Sequence, residues 1–102
     1  MNVVNTGIPQ EDKEKILSII HSIIPKCKVY LFGSRAQGQH DVGSDLDIAI
    51  DTGAPIDHRK IYLIKEQLEE TNIPQKVDVV DLFSASEIFK QEVSEKGILW
   101  KK

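Results

Sequence analysis

The sequence has one cysteine, Cys27, among 102 residues. A single cysteine closes no internal disulfide, and no Cys/His spacing suited to zinc accompanies it. The expectation is a protein of a reducing cytoplasm. No apolar run approaches the roughly 20 residues that span a bilayer, and the N-terminus lacks a basic-then-apolar secretory pattern. A basic surplus is missing too: 13 Lys and Arg stand against 16 Asp and Glu, a formal net charge of -3. That argues against a protein that grips long DNA or RNA. Repeats, low-complexity tracts and linkers are also absent.

What remains is the composition of a soluble globular chain, 40% hydrophobic and 28% charged. Its length suits one domain over residues 1–102, with residues 1–9 as a loose lead-in. Pro9 opens a helical pattern in which Ile16, Leu17, Ile20, Ile23 and Ile24 recur, with Glu11, Asp12 and Glu14 in the first turns and Pro25 as the stop. Lys28–Phe32 is a β-type run ending at Gly33. A polar loop, with a helical turn around Arg35–Gln37, leads to a second strand over Asp45–Ile50. A helix over Asp57–Glu70 buries Ile61, Ile64 and Leu68. Val77–Leu82 is a third strand, and Ser86 or Ser84 caps a helix ending near Gly97. Ile98, Leu99 and Trp100 close the core or add an edge strand. The order α-β-loop-β-α-β-α predicts a mixed α/β fold.

Three pieces of this chain carry chemistry. In a strand, residues i and i+2 share a face, so Asp45 and Asp47 project together while Leu46, Ile48 and Ile50 face the core. Adjacent carboxylates repel unless a cation lies between them, so the pair reads either as a divalent-ion site or as the solvated face of a half-exposed strand. Asp78 stands among Val77, Val79 and Val80, where an unpaired charge is costly. If its strand lies beside the first pair, it completes a three-carboxylate cluster as metal ligand or acceptor-activating base. Asp81, of opposite parity, reads as a strand-end cap. Gly33 permits backbone shapes that let a phosphate approach the main chain, and Ser34 adds a hydroxyl; an ordinary turn would use the same two residues.

Rival motifs fail on specific residues. Gly33 and Gly38 have Walker A spacing, but Gln39-His40 follow where Lys and Ser/Thr belong. Asp45-Leu46-Asp47 starts like a calcium loop, but Ala49 and Ile50 stand where an acid or amide and the glycine belong. His21, His40 and His58 have no metal spacing; His40, in the loop, is the one placed to meet a substrate.

The order Gly33-Ser34, a ten-residue spacer, Asp45-Leu46-Asp47 and a later Asp78 resembles the DNA polymerase β-like nucleotidyltransferase superfamily. The strings Phe32-Gly-Ser-Arg-Ala-Gln-Gly38 and Ser44-Asp-Leu-Asp-Ile-Ala-Ile50 resemble its minimal nucleotidyltransferase (MNT) branch in particular. The resemblance implies a small mixed sheet with helices packed on one face. It implies transfer of NMP, as AMP, from an NTP such as ATP, with two Mg²⁺ held by Asp45, Asp47 and Asp78 and the nucleotide held by Gly33, Ser34, Arg35 and Ser44. Gln37 departs from the arginine common in that branch, which removes a phosphate contact there. MNT proteins often pair with helical HEPN toxins, so the implied acceptor is a hydroxyl of a HEPN partner and the implied role that of an antitoxin. A binding-only antitoxin and a small-molecule transferase are the alternatives; the short chain weighs against the second. Either a HEPN protein or a second copy of the chain is expected as partner, with the Ile98–Trp100 segment and the Asp57–Glu70 helix as contact surfaces.

Overall fold

The computed structural model describes residues 6–101. Among them the chain runs α1 (Gln10–Ile23), β1 (Lys28–Phe32), β2 (Leu46–Asp51), α2 (His58–Glu69), β3 (Val77–Asp81), α3 (Glu87–Lys96) and β4 (Ile98–Lys101). The strands form one sheet in the order β3-β2-β1-β4. β1 is antiparallel to β2 and to β4, whereas β2 and β3 are parallel. A parallel pair needs a crossover, and α2 supplies it.

Strand alternation sets the two faces. Val29 and Leu31 of β1, Leu46, Ile48 and Ile50 of β2 and Val79 of β3 point to one face. Ile16 and Ile20 of α1 and Ile64 and Leu68 of α2 cover it. Each fully buried aliphatic side chain contributes about 1.5–3 kcal/mol, so this layer carries most of the fold.

Helices do not keep to that face alone. Tyr30, Phe32 and Ala49 point the other way and meet Phe89 and Val93 of α3. The Phe32 and Phe89 rings meet edge to face with centroids 5.0 Å apart. The expectation of helices on one face therefore holds for α1 and α2 and is corrected for α3. The reason is local: Phe89 and Val93 are one helical turn apart, and Ala49 leaves room for a helix where a larger side chain would hold it off. On the same face Asp47 and Asp78 remain half-buried.

Element ends follow their hydrogen bonds. Ser86 is the cap of α3, its Oγ accepting from Phe89 N–H at 3.2 Å; Ser84 instead donates to Asp81 Oδ2 at 2.8 Å. β4 combines both expected roles, pairing with β1 as an edge strand while Ile98 and Trp100 pack on the core. β2 begins at Leu46 rather than Asp45, because its pairing with β3 begins at Leu46↔Val77 and its pairing with β1 reaches only Phe32↔Asp47. Of the supposed lead-in, residues 1–5 lie outside the described residues; Thr6, Gly7 and Ile8 are tied down rather than loose. Ile8 packs on the core and the Thr6 carbonyl accepts from Arg35. No helix among the described residues is long and apolar enough to cross a membrane.

Candidate active site

Asp47 is the centre of the site. Its neighbour across the β1 side is Phe32, and across the β3 side Asp78. Residues in register on adjacent parallel strands share a face, so Asp47 and Asp78 project side by side. Asp45 lies two residues before Asp47, at the mouth of β2, and is exposed. The electrostatics show all three in one field. Burial pushes the Asp47 carboxyl above its ordinary value, and the negative charges of Asp78 and then Asp45 push it further.

The β1 side is shaped by Gly33. Its φ of 78° is a conformation that L side chains rarely adopt. A Cβ at Gly33 would run into Asp47 Oδ2, so glycine is what lets this main chain lie against the carboxylate. Ser34 then heads a tight coil: Gln37 and Gln39 N–H both donate to the Ser34 carbonyl, at 3.2 and 2.9 Å. That coil is the helical turn expected at Arg35–Gln37.

Arg35 does not face the site. It is 2% exposed, and its guanidinium donates to the carbonyls of Ser44 (3.0 Å), Thr6 (2.9 Å) and Val42 (3.1 Å). This corrects its assignment to the nucleotide: the planar fork of donors staples the loop and the N-terminal segment to the coil. Ser44 closes the same loop, its Oγ accepting from Asp41 N–H at 2.9 Å. His40 is half-buried against Gly7, where an added Cβ would lie 2.5 Å from His40 Nε2; its Nδ1 is buried without a hydrogen-bond partner among the described residues. His21 and His58 are exposed. Asp81 is the strand-end cap expected of it, accepting from Ile56 N–H, Phe83 N–H and the Ser84 hydroxyl.

One neighbour has no sequence signal. Lys65, on α2, reaches round the free edge of β3 and places Nζ 3.8 Å from Asp78 Oδ1. Its separation from Asp78 along the chain follows no motif spacing; only the packing of α2 on β3 brings the two together.

The donor set suits a hard cation, being carboxylate oxygen throughout. Among the described residues no three His, Cys, Asp or Glu side chains close into a cage that holds an ion unaided. Mg²⁺ does not need one, since it commonly binds through one or two carboxylates with water and substrate phosphate completing its shell. Asp47 and Asp78 lie side by side in register and half-buried, and burial together with the neighbouring charges disfavours the bare Asp47 carboxylate, so the residues fit such an ion.

Comparison with known proteins follows this geometry. The family model described as polymerase beta, nucleotidyltransferase matches residues 14–102. A protein of Haemophilus influenzae named "Probable protein adenylyltransferase MntA" is 33% identical over 84 residues, covering 82% of this chain and 74% of that protein. The "Protein adenylyltransferase MntA" of Shewanella oneidensis is 35% identical over 89 residues, covering 86% of this chain. This chain spans 63% of that relative's length. Among solved structures, a complex of tri-AMPylated Shewanella oneidensis HEPN toxin with MNT antitoxin contains a chain that superposes with a TM-score of 0.70 at 30% identity, covering 89% of this chain and 70% of that one.

Proposed function

The chain belongs to the polymerase beta nucleotidyltransferase family, and from that premise we propose that it moves AMP from ATP to a hydroxyl of a HEPN-type protein partner, as the antitoxin of such a pair. The observation that carries this reading is the setting of Asp47, backed by the Gly33 main chain and flanked by Asp78 and Asp45, with its carboxyl pushed up by burial and then by their charges. A protein that only masks its partner gains nothing from holding three acids in mutual repulsion. A transferase does, because the repulsion becomes affinity for the cation and its nucleotide.

In this reading Asp45, Asp47 and Asp78 would hold Mg²⁺, two ions in all, which when bound would neutralise the triphosphate and stabilise the attacking and leaving oxygens. The chain's own residues do the rest. Gly33 and Ser34 receive the departing pyrophosphate, since the absence of a Cβ lets phosphate approach the main chain. Asp78, on the side away from Gly33, takes the acceptor proton. Arg35 acts at a distance by fixing the loop that ends at Ser44, immediately before Asp45.

The test is incubation of the chain with labelled ATP, Mg²⁺ and a HEPN-domain partner, followed by mass spectrometry. An adduct of one or more AMP on the partner supports transfer. Neutralisation of the partner with no adduct supports the binding-only antitoxin instead.

A further inference from the structure

The outward side of α2 is not that of a helix built to meet water alone. At about 100° of turn per residue, Ile64 and Leu68 mark its buried side, and Arg59, Glu66 and Glu70 mark the opposite pole. Tyr62 and Leu63 flank that pole and are 67% and 40% exposed. The solvent side of an amphipathic helix is ordinarily polar, and apolar side chains scattered singly over a surface need no explanation. Here two of them adjoin near the middle of the helix.

Charge is ordered along the same stripe. His58, Arg59 and Lys60 precede the apolar pair, and Glu66, Glu69 and Glu70 follow it. Lys65, between them, is turned to Asp78. Such a stripe is complementary to itself reversed. A second copy laid antiparallel, about a two-fold axis between Tyr62 and Leu63, sets each Tyr62 against the other copy's Leu63. The same operation sets each Arg59 against the other copy's Glu66. Parallel alignment would set like charges together. We propose that two copies of this chain associate through the outward stripe of α2, paired antiparallel. The inference stands apart from the transferase reading.

A two-fold contact requires this self-complementarity, with residue i meeting j while j meets i. Among the described residues no ion pair uses Glu66 or Glu70. Arg59 donates from Nε and Nη2 to its own Asp57, and a guanidinium has five N–H donors, enough to meet a second carboxylate as well. Burial of Tyr62 and Leu63 drives the association. Exposed ion pairs are individually weak, and their part is to fix the direction of the pairing. Two facing helices of 12 residues, each about 18 Å long, bury less than the roughly 1,200–2,000 Å² of stable interfaces. The dimer therefore depends on concentration. Lys65 lies about 120° round the helix from Arg59, so the contact does not use the residues of the candidate site.

The test is sedimentation velocity of the full chain across the micromolar-to-millimolar range of weak contacts. The mass should rise from 11.5 kDa toward twice that value. Arg59→Glu and Glu66→Arg each turn two attractive contacts into repulsive ones, so each should raise Kd at least about 10-fold, with circular dichroism showing the helices intact. An equimolar mixture of the two variants should associate again, because both contacts in the mixed pair set Glu against Arg. Tyr62→Ser removes apolar area without touching the Asp57 cap and should weaken the dimer even if a charge variant misfolds. A chain that stays monomeric throughout, a dimer indifferent to these variants, or folded charge variants that do not rescue each other overturns the proposal. So does a monomeric chain that binds a HEPN-domain protein and loses it in Tyr62→Ser, which would give the stripe to that partner.

Discussion

Replacing Asp47 by Asn should stabilise the metal-free protein while removing its activity. Adjacent strands place the Asp47 and Asp78 carboxylates roughly 5 Å apart, where two unit charges repel by about 0.8 kcal/mol in water. Asp45, at roughly 7 Å, adds about 0.6 kcal/mol. Half-exposure, salt and the nearby Lys65 ammonium screen these values, leaving a net gain of about 1 kcal/mol for the neutral amide. In a domain of this size that raises Tm by about 4–8 °C. The gain depends on pH. Asp47 holds its proton more tightly folded than unfolded, so the folded state binds more protons between the ordinary value of 3.8 and its raised value. Stability of the wild type therefore falls as pH rises through that window, and the penalty is complete above it. The Asn variant should match wild type below the window and exceed it at pH 7. With Mg²⁺ and ATP the order reverses: at ten times Kd a ligand adds about 1.4 kcal/mol to the wild type alone. Transfer by the variant should fall at least about 100-fold. Calorimetry at several pH values, with and without Mg²⁺, checks all of this. An Asn variant less stable than wild type at pH 7 without metal would refute the crowded-charge argument.

Three further outcomes are expected. Gly33→Ala should lose about 1–2 kcal/mol in urea denaturation, from a positive φ forced on an L residue, and should weaken Mg²⁺-dependent stabilisation because the new Cβ displaces Asp47 Oδ2; unchanged stability would count against the close approach. Arg35→Lys should lose about 2–4 kcal/mol, because one ammonium does not serve three separate carbonyls; a stable variant with a raised KM for ATP would instead return Arg35 to the phosphate. Lys65→Met should bind Mn²⁺ about 3- to 5-fold more tightly by electron paramagnetic resonance, since the cation then need not compete with an ammonium for Asp78; equal or weaker binding would show the pair to be incidental.

The residues that were legible in advance are those whose signal is local. Period-two alternation located β2 and assigned Leu46, Ile48 and Ile50 to the core. Caps and prolines bounded α1 and α3 within a residue or two. The partnership of Asp47 with Asp78 was only half legible. Parity within each strand can be read from sequence, but register between strands depends on the length of the α2 crossover and on Leu46 and Ile48 lying beside Val77 and Val79. A slip of one residue would have turned Asp78 into the core. Arg35 misled for a related reason. A charge in a polar loop looks available to a ligand, and nothing in the sequence says that the loop will fold its own carbonyls around the guanidinium. Lys65 gave no signal at all, because its significance comes from helix-on-strand packing.

These cases share a physical pattern that bears on how so small a fold supports a costly site. β2 does two jobs on opposite faces. Leu46, Ile48 and Ile50 are fully buried beneath α1 and α2, and their burial of about 1.5–3 kcal/mol each exceeds the roughly 1 kcal/mol of repulsion at Asp47 on the same strand. The strand therefore stays in register with its charges unrelieved. On the second face, α3 covers Ala49 through Phe89 and Val93, while Asp47 and Asp78 stay half-buried. The acids thus sit on a strand whose other face is anchored in the core, and in the proposed reading any variant that loosens the Ile48 layer should degrade metal binding before it unfolds the chain.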